Sequence, residues 1–279
     1  MIRIRGVSGF ALPYLALLPV LWFGAGSPAC AAPASADVPA RVAGVVEDPC
    51  QFEPTVEQAG GFGAWRGWIY ANDYGQLCVY RAADAALGAA KPDTQRVVFM
   101  GDSITQIWKQ KDPGFFSHGR LDRGISGQTT SQMLVRFRQD VIDLHPAVVH
   151  IMAGTNDVAG NTGATTLADI EGNLASMAEL AQAHGIRVIL ASVPPSDHFT
   201  WQPRVNPVEP IRELNAWIRG YARTHHCVYV DYYDAMAAKD GAMRPGLSSD
   251  GVHPTAQGFA IMEPLARKAI AVALAVHAR

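Results

Sequence analysis

Between residue 95 and the C-terminus, short uninterrupted apolar runs alternate with stretches whose apolar residues recur three and four apart. The runs are "RVVFM" (96–100), "AVVHIMAG" (147–154), "IRVILASV" (186–193) and "CVYVDYY" (227–233). A strand that is apolar at successive positions, rather than at every second one, is buried on both faces, as in a parallel sheet flanked by helices. The intervening stretches supply those helices. Met133, Phe137, Val141 and Leu144 fall on one face, as do Leu167, Ile170, Leu174 and Met177. Gly185 stands where the second of these helices should stop. Val208, Ile211, Leu214 and Ile218 mark another, and Phe259, Met262 and Leu265 a last one running from about Ala256 to the C-terminus. Each parallel crossover needs room for a helix. The pattern therefore predicts an α/β fold with a central parallel sheet covered on both faces. There is no internal repeat and no low-complexity tract.

Residues 1–93 do not share this pattern. Arg3 and Arg5 precede an uncharged apolar stretch, Phe10 to Phe23, which runs into "GAGSPACAAPASA". A basic start, a short apolar centre and a small-residue cleavage site make a secretory signal, with cleavage after Ala31 or Ala36. Pro13, Pro19 and a length short of the ~20 residues of a membrane span argue against an anchor. Ser27-Pro28-Ala29 lacks the aliphatic residue expected before a lipoprotein cysteine at Cys30. The expectation is a signal peptide over 1–36, a secreted or periplasmic protein, and no stable membrane insertion. Residues 37–93 read as a loop-rich, aromatic extension before a main domain over 94–279. In it "GGFGAWRGWIYANDYG" sets Trp65, Trp68, Tyr70 and Tyr74 among glycines, and "RAADAALGAA" reads as a short helix. Its aromatics are expected to pack onto the main domain; a platform for stacking on sugar is the less favoured reading.

Composition narrows the function classes. The roughly 245 residues left after the leader suit one large domain. The net charge is −2 for the whole chain, and more negative without Arg3 and Arg5. Nucleic-acid binders carry concentrated positive charge, so no nucleic-acid partner is expected. In an oxidising compartment Cys50 and Cys78, which flank the loop-rich stretch, are expected to pair. Cys227 opens an apolar run and is expected to stay free as a buried small hydrophobe.

Ligands of an open parallel sheet bind beyond the carboxyl ends of its strands, and polar clusters fall there. Asp102-Ser103 ends the first run, "ISGQTT" (125–130) follows, "GTND" (154–157) ends the second run, and "SSDGVHP" (248–254) precedes the last helix. A serine hydroxyl attacks poorly by itself. It needs an imidazole to take its proton, a carboxylate to hold that imidazole in one tautomer, and donors for the developing oxyanion. Ser103 can be the nucleophile, His253 the base and Asp250 its orienting acid. The backbone N–H groups of Ser103 and Gly127 and the side-chain amide of Asn156 are candidate oxyanion donors. Taken singly, a serine after a strand is most often a helix cap and an Asp-Gly pair a turn; four such clusters at one sheet edge point to chemistry. Asp102 is assigned to shaping the turn, and His150, inside a strand pattern, to the core. His225-His226 suit the negative end of a helix.

"FMGDSIT", "ISGQTT", "GTND" and "DGVHP" resemble, in order, the four sequence blocks of the GDSL/SGNH hydrolase superfamily, over roughly residues 95–279. The resemblance implies a flavodoxin-like three-layer α/β/α sandwich. It implies Ser103, Asp250 and His253 as the catalytic triad, Ser103, Gly127 and Asn156 as the oxyanion hole, and no metal or other cofactor. The stretch from Gly101 to "MAGTNDVAGNTG" resembles the acetylesterase-like branch. The expected activity is hydrolysis of short acyl esters, acetyl foremost, on a small-molecule or polysaccharide substrate. Trp108, about one helical turn beyond Ser103, is expected to wall a shallow acyl pocket. Lipase-like or arylesterase activity is the nearest alternative. Further off lie a metal-dependent phosphoesterase, using Asp102, Asp157, Asp250 and His253 as ligands, and a non-catalytic sugar-binding protein.

Overall fold

A computed structural model describes residues 44–87 and 93–275; the signal segment lies outside the described residues. After a short 3-10 turn come α1 (Phe62–Asn72) and α2 (Cys78–Ala86). The sheet domain then runs β1 (Asp93–Gly101), α3 (Ser103–Lys111), β2 (Arg120–Gly124), α4 (Thr130–Asp140) and β3 (Pro146–Met152). It continues with α5 (Thr155–Val158), α6 (Leu167–Ala183), β4 (Arg187–Ala191), α7 (Val208–Thr224), β5 (Val228–Val230), α8 (Tyr233–Met236) and α9 (Ala256–Ala275). The five strands are parallel in the order β2-β1-β3-β4-β5. This is the flavodoxin-like order, with its switch point where β1 lies between β2 and β3.

Side chains alternate across the strands, and the layers follow from that. Val98, Met100, Val149, Ile151, Val188 and Leu190 face α4, α6 and α7. Val97, Phe99, Val148, Met152, Ile189 and Ala191 face α3, α8 and α9. Met133 and Phe137 of α4 are wholly buried, each contributing about 1.5–3 kcal/mol of apolar burial. Capping boxes start α4, from Thr129 with Gln132, and α6, from Thr166 with Asp169; each satisfies N–H groups that a helix start leaves unpaired.

One strand escaped the sequence pattern. "RLDRG" carries three charges, yet it forms β2. As an edge strand it needs no second apolar neighbour, and its charges have partners. Asp122 accepts the N–H of Gly124 at 2.8 Å, and Arg123 pairs with Asp84 of α2 beneath the Tyr80 ring. The Tyr80 hydroxyl donates to the Gly124 carbonyl at 2.5 Å, so α2 helps to cover the edge.

The glycine-rich segment expected to be loop is α1. Gly63 and Gly67 each cost a helix about 1 kcal/mol relative to alanine. Tertiary contacts outweigh that cost: Ile69 is buried, and Arg66 and Tyr70 both donate to the carbonyl of Asn161, at 3.1 and 3.3 Å. Asp73 follows α1 and accepts the N–H groups of Leu77 and Cys78, starting α2. Cys50 and Cys78 form a disulfide. Cys227 is free, but it precedes β5 and is half-buried rather than enclosed; burial pushes its thiol up to about 11.

Candidate active site

β1 delivers the chain to the C-terminal edge of the sheet at Gly101. Asp102 then caps α3, accepting the N–H of Ile104 at 2.9 Å. Asp102 is buried, and that burial, against the lowering effects of the Ile104 N–H and of His253, pushes its carboxyl up to about 6. Ser103 is the first residue of α3. Gly124, at the end of β2, passes so close that an added Cβ would lie 2.4 Å from the Gln106 nitrogen and 2.7 Å from the Asp102 carbonyl. Only glycine lets the edge strand approach the nucleophile turn this closely.

The acid and the histidine share one turn, and the acid builds it. Asp250 Oδ1 accepts the N–H groups of Val252 and His253 at 3.0 and 2.8 Å, leaving Oδ2 2.6 Å from His253 Nδ1. A carboxylate can only accept, so Nδ1 carries the proton and Nε2 is the ring's acceptor. Nε2 lies 2.9 Å from Ser103 Oγ. Partial burial would raise the Asp250 carboxyl, but the hydrogen bonds from the His253 ring and from the two backbone N–H groups hold it well below the usual carboxylate range.

Beside Ser103 runs the loop after β2. Gly127 sits at φ +79°, a left-handed conformation that favours glycine. Among the described residues the N–H groups of Ser103 and Gly127 donate to no protein acceptor. The Asn156 amide donates to the Gln128 carbonyl at 3.0 Å and, less closely, to Asp102 Oδ2 at 3.3 Å. Ser103, Gly127, Asn156, Asp250 and His253 therefore converge at the switch point from four separate stretches of chain.

Trp108 does not join them. It is wholly buried, stacked between Phe115 at 4.8 Å and Phe259 at 5.6 Å between ring centroids. Five residues along a helix turn a side chain through about 140° from Ser103, into the core and away from the site. Trp108 is thus a core residue, not a pocket wall. The ligand set of a phosphoesterase does not assemble either. Asp157 is turned to α4, where it accepts both the N–H and the hydroxyl of Thr130. Among the described residues the one close group of metal-binding side chains is Glu53, Asp73 and Cys78, and Cys78 is held in the disulfide. His150 is in the core, its ring held to about 3 by burial, with Nε2 2.9 Å from the Tyr232 hydroxyl.

Three supporting residues were missed. Asn161 donates from Nδ2 to the Gly127 carbonyl at 3.1 Å and to Asn156 Oδ1 at 2.8 Å, and accepts the indole N–H of Trp201 at 2.9 Å. With Arg66 and Tyr70 on its carbonyl, it joins α1 to two of the three candidate oxyanion residues, Gly127 and Asn156. Arg136, fully buried and paired with Asp140, donates to the carbonyls of Gly101 and Arg123 and to Gln128 Oε1. It falls in the same stripe as Met133 and Phe137, so a charged residue at an apolar phase was the available signal. Gln128 was quoted within "ISGQTT" but given no task; it carries the Arg136 contact across to residues 75 and 76.

A parallel α/β sandwich with serine, histidine and carboxylate in hydrogen-bonded succession at the carboxyl edge of its strands has the architecture of a serine hydrolase. The chain belongs to the GDSL-like lipase/acylhydrolase family, whose profile matches residues 99–261. A GDSL-like lipase from Bacteroides thetaiotaomicron is 46% identical over all of its chain and 72% of this one, with a TM-score of 0.70. An acetylxylan esterase from Geobacillus stearothermophilus, 21% identical, covers 63% of this chain and 94% of its own with a TM-score of 0.53, a likeness of fold. The lipoprotein YqeF of Bacillus subtilis is 38% identical over 78 residues, which is 27% of this chain and 32% of that protein's length.

Proposed function

We propose that this acylhydrolase is an exported serine esterase that removes short acyl groups, acetyl foremost, from carbohydrate. The observation that carries the reading is the continuous relay from Ser103 Oγ through His253 to Asp250. Ser103 Oγ attacks the ester carbonyl as its proton passes to His253 Nε2. Asp250, kept ionised by its turn, holds the imidazole and stabilises the imidazolium. The N–H groups of Ser103 and Gly127 receive the oxyanion. Asn156 contributes by exchanging its longer bond, to Asp102, for the substrate oxygen. The imidazolium returns its proton to the leaving alcohol, and a water then releases the acid by the same route.

Export is supported by the signal pattern of residues 1–36 and by the Cys50–Cys78 disulfide, a bond that persists in oxidising compartments. None of the described helices is long and apolar enough to cross a membrane. The test is hydrolysis of a series of 4-nitrophenyl esters by the wild type and by Ser103→Ala. The expected result is highest kcat/KM with acetate, a decline beyond butyrate, loss of activity in Ser103→Ala with folding intact, and sulfonyl fluoride labelling at Ser103. Activity should survive a chelator. A fully active Ser103→Ala, or a label on another residue, overturns the mechanism; an optimum at octanoate overturns the acetyl assignment.

A further inference from the structure

We infer that the open cavity between α1 and the loop after β2 is a carbohydrate subsite, which receives the sugar that carries the scissile ester. The inference rests on the esterase reading and assigns its alcohol side. The cavity has a volume of about 360 Å³ and is bounded by Trp65 and Tyr70 of α1, Ile125 and Gly127 of the loop, and Gln76 and Gln106. It is contiguous with the Ser103 site in two ways. Gly127 borders both, and Gln106 lies three residues after Ser103 on α3, on the same side of that helix.

The two glutamines have their amides oriented by groups that leave no choice. Arg136 can only donate, and its Nε takes Gln128 Oε1 at 2.6 Å. Gln128 therefore turns Nε2 toward the carbonyl of Gly75 and toward Gln76 Oε1 at 3.1 Å. With its oxygen so occupied, Gln76 has Nε2 left as a donor. Gln106 Oε1 accepts the backbone N–H of Ser126 at 3.1 Å and its hydroxyl at 2.5 Å, which leaves Gln106 Nε2 in the same position. Among the described residues neither Nε2 has a hydrogen-bond partner, neither is buried from solvent, and both residues line the cavity. Gln76 is held at φ +53°, a left-handed conformation sparsely populated by non-glycine residues; such strain concentrates where a side chain is placed for a ligand.

Aromatic rings and oriented amide donors lining one cavity suit a sugar ring, whose C–H face packs on an aromatic while its hydroxyl oxygens accept hydrogen bonds. Phe62, Ile69 and Val79 give the cavity an apolar side as well; an acyl chain could lie there, but it would cover both amides and give them nothing to donate to. Arg66, donating to Tyr70 at 2.7 Å and to the carbonyl of Asn161, fixes the aromatic wall to the residue that holds Gly127 and Asn156.

Two measurements test this. The first is calorimetric binding of unacetylated xylo-, cello- and manno-oligosaccharides to Ser103→Ala, which requires no turnover. Binding of at least one is expected, weakened tenfold or more when Trp65→Ala is added and largely retained with Trp65→Phe. The second is the ratio of kcat/KM on the acetylated form of that oligosaccharide to kcat/KM on 4-nitrophenyl acetate. Gln76→Glu and Gln106→Glu each keep the acceptor and remove the donor, and are expected to lower this ratio about tenfold. Absence of binding by every oligosaccharide, while wild type hydrolyses 4-nitrophenyl acetate, overturns the subsite and leaves the esterase standing. A rise of rate with acyl length that Trp65→Ala abolishes gives the cavity to the acyl chain and overturns it too. Wild type inactive on all esters removes the esterase reading, and the binding arm then judges the cavity independently.

Discussion

Two regions of the molecule are crowded with aromatic rings, and the rings serve opposite ends. On the α3–α9 side of the sheet, Trp108 is sandwiched by Phe115 and Phe259, with Phe99 edge-on to it; every one of these rings is buried. On α1, Trp65 is half-buried, Phe62 is 62% exposed, and both border the cavity next to Gly127. The sequence reading placed Trp108 at the pocket, where the structure has it in the core; it favoured packing for the α1 rings over a platform, and those rings both pack on the main domain and border the cavity. The difference teaches that a ring's task depends on what lies opposite it. Trp108 meets two further rings and a closed sheet face, whereas Trp65 borders a cavity shared with Ile125 and Gly127 of the loop after β2.

Truncation should separate the two regions most sharply. Trp108→Ala is expected to destabilise the fold by about 3–5 kcal/mol, the usual cost of emptying a buried aromatic site. Phe62→Ala should stay within about 0.5 kcal/mol, as for an exposed side chain. Denaturant midpoints decide this; a small loss at Trp108 would return it to the pocket. Next comes the oxyanion group at the meeting point of the two regions. Asn156→Ala should lower kcat ~10²–10³-fold, about 2.7–4 kcal/mol, with little change in KM. A change confined to KM would make Asn156 a substrate-binding residue instead.

The disulfide tests how far the α1–α2 layer depends on covalent bracing. Cys50→Ser combined with Cys78→Ser should cost about 2–4 kcal/mol, by releasing a loop in the unfolded chain. Unchanged melting would mean that the hydrogen bonds to α4 and β2 suffice alone. Asn161 links the layer to the site through two side-chain bonds of about 0.5–1.5 kcal/mol each. Asn161→Ala should accordingly lower kcat about tenfold and leave the KM for 4-nitrophenyl acetate nearly unchanged. Equal loss in both parameters would reduce Asn161 to a structural support.

The smallest effect concerns pH. Asp102 holds its proton in the fold up to about pH 6, above the ordinary carboxyl value of about 3.9 in an unfolded chain. Between these values the folded state binds more protons than the unfolded one, so this group's contribution to stability falls as pH rises through about 4 to 6. Asp102→Asn lacks that slope. Unfolding free energies of the two proteins, compared at about pH 4.5 and pH 7, should show wild type gaining relative to the variant on acidification. A constant difference would mean that Asp102 titrates normally.

The sequence by itself determined the parts of this protein that local pattern encodes. Four of the five strands were legible because interior strands must be apolar on both faces. The α4, α6, α7 and α9 helices were legible from their three-and-four spacing, and the Asp250–His253 turn from its short span, because the acid and the ring it orients are built by one set of neighbouring bonds. Tertiary structure decided everything that depends on a partner distant in the chain. The charged strand "RLDRG" is a strand because β1 and α2 flank it, and α1 is a helix despite its glycines because Asn161 and the buried Ile69 anchor it. Trp108 turned inward because helix phase and the rings across the core outweigh proximity to Ser103. Arg136, Gln128 and Asn161 became supports of the site through bonds to residues up to 95 positions away. Hydrophobic period is written in neighbouring residues; the orientation of an amide or a ring is settled only by the groups that folding brings against it.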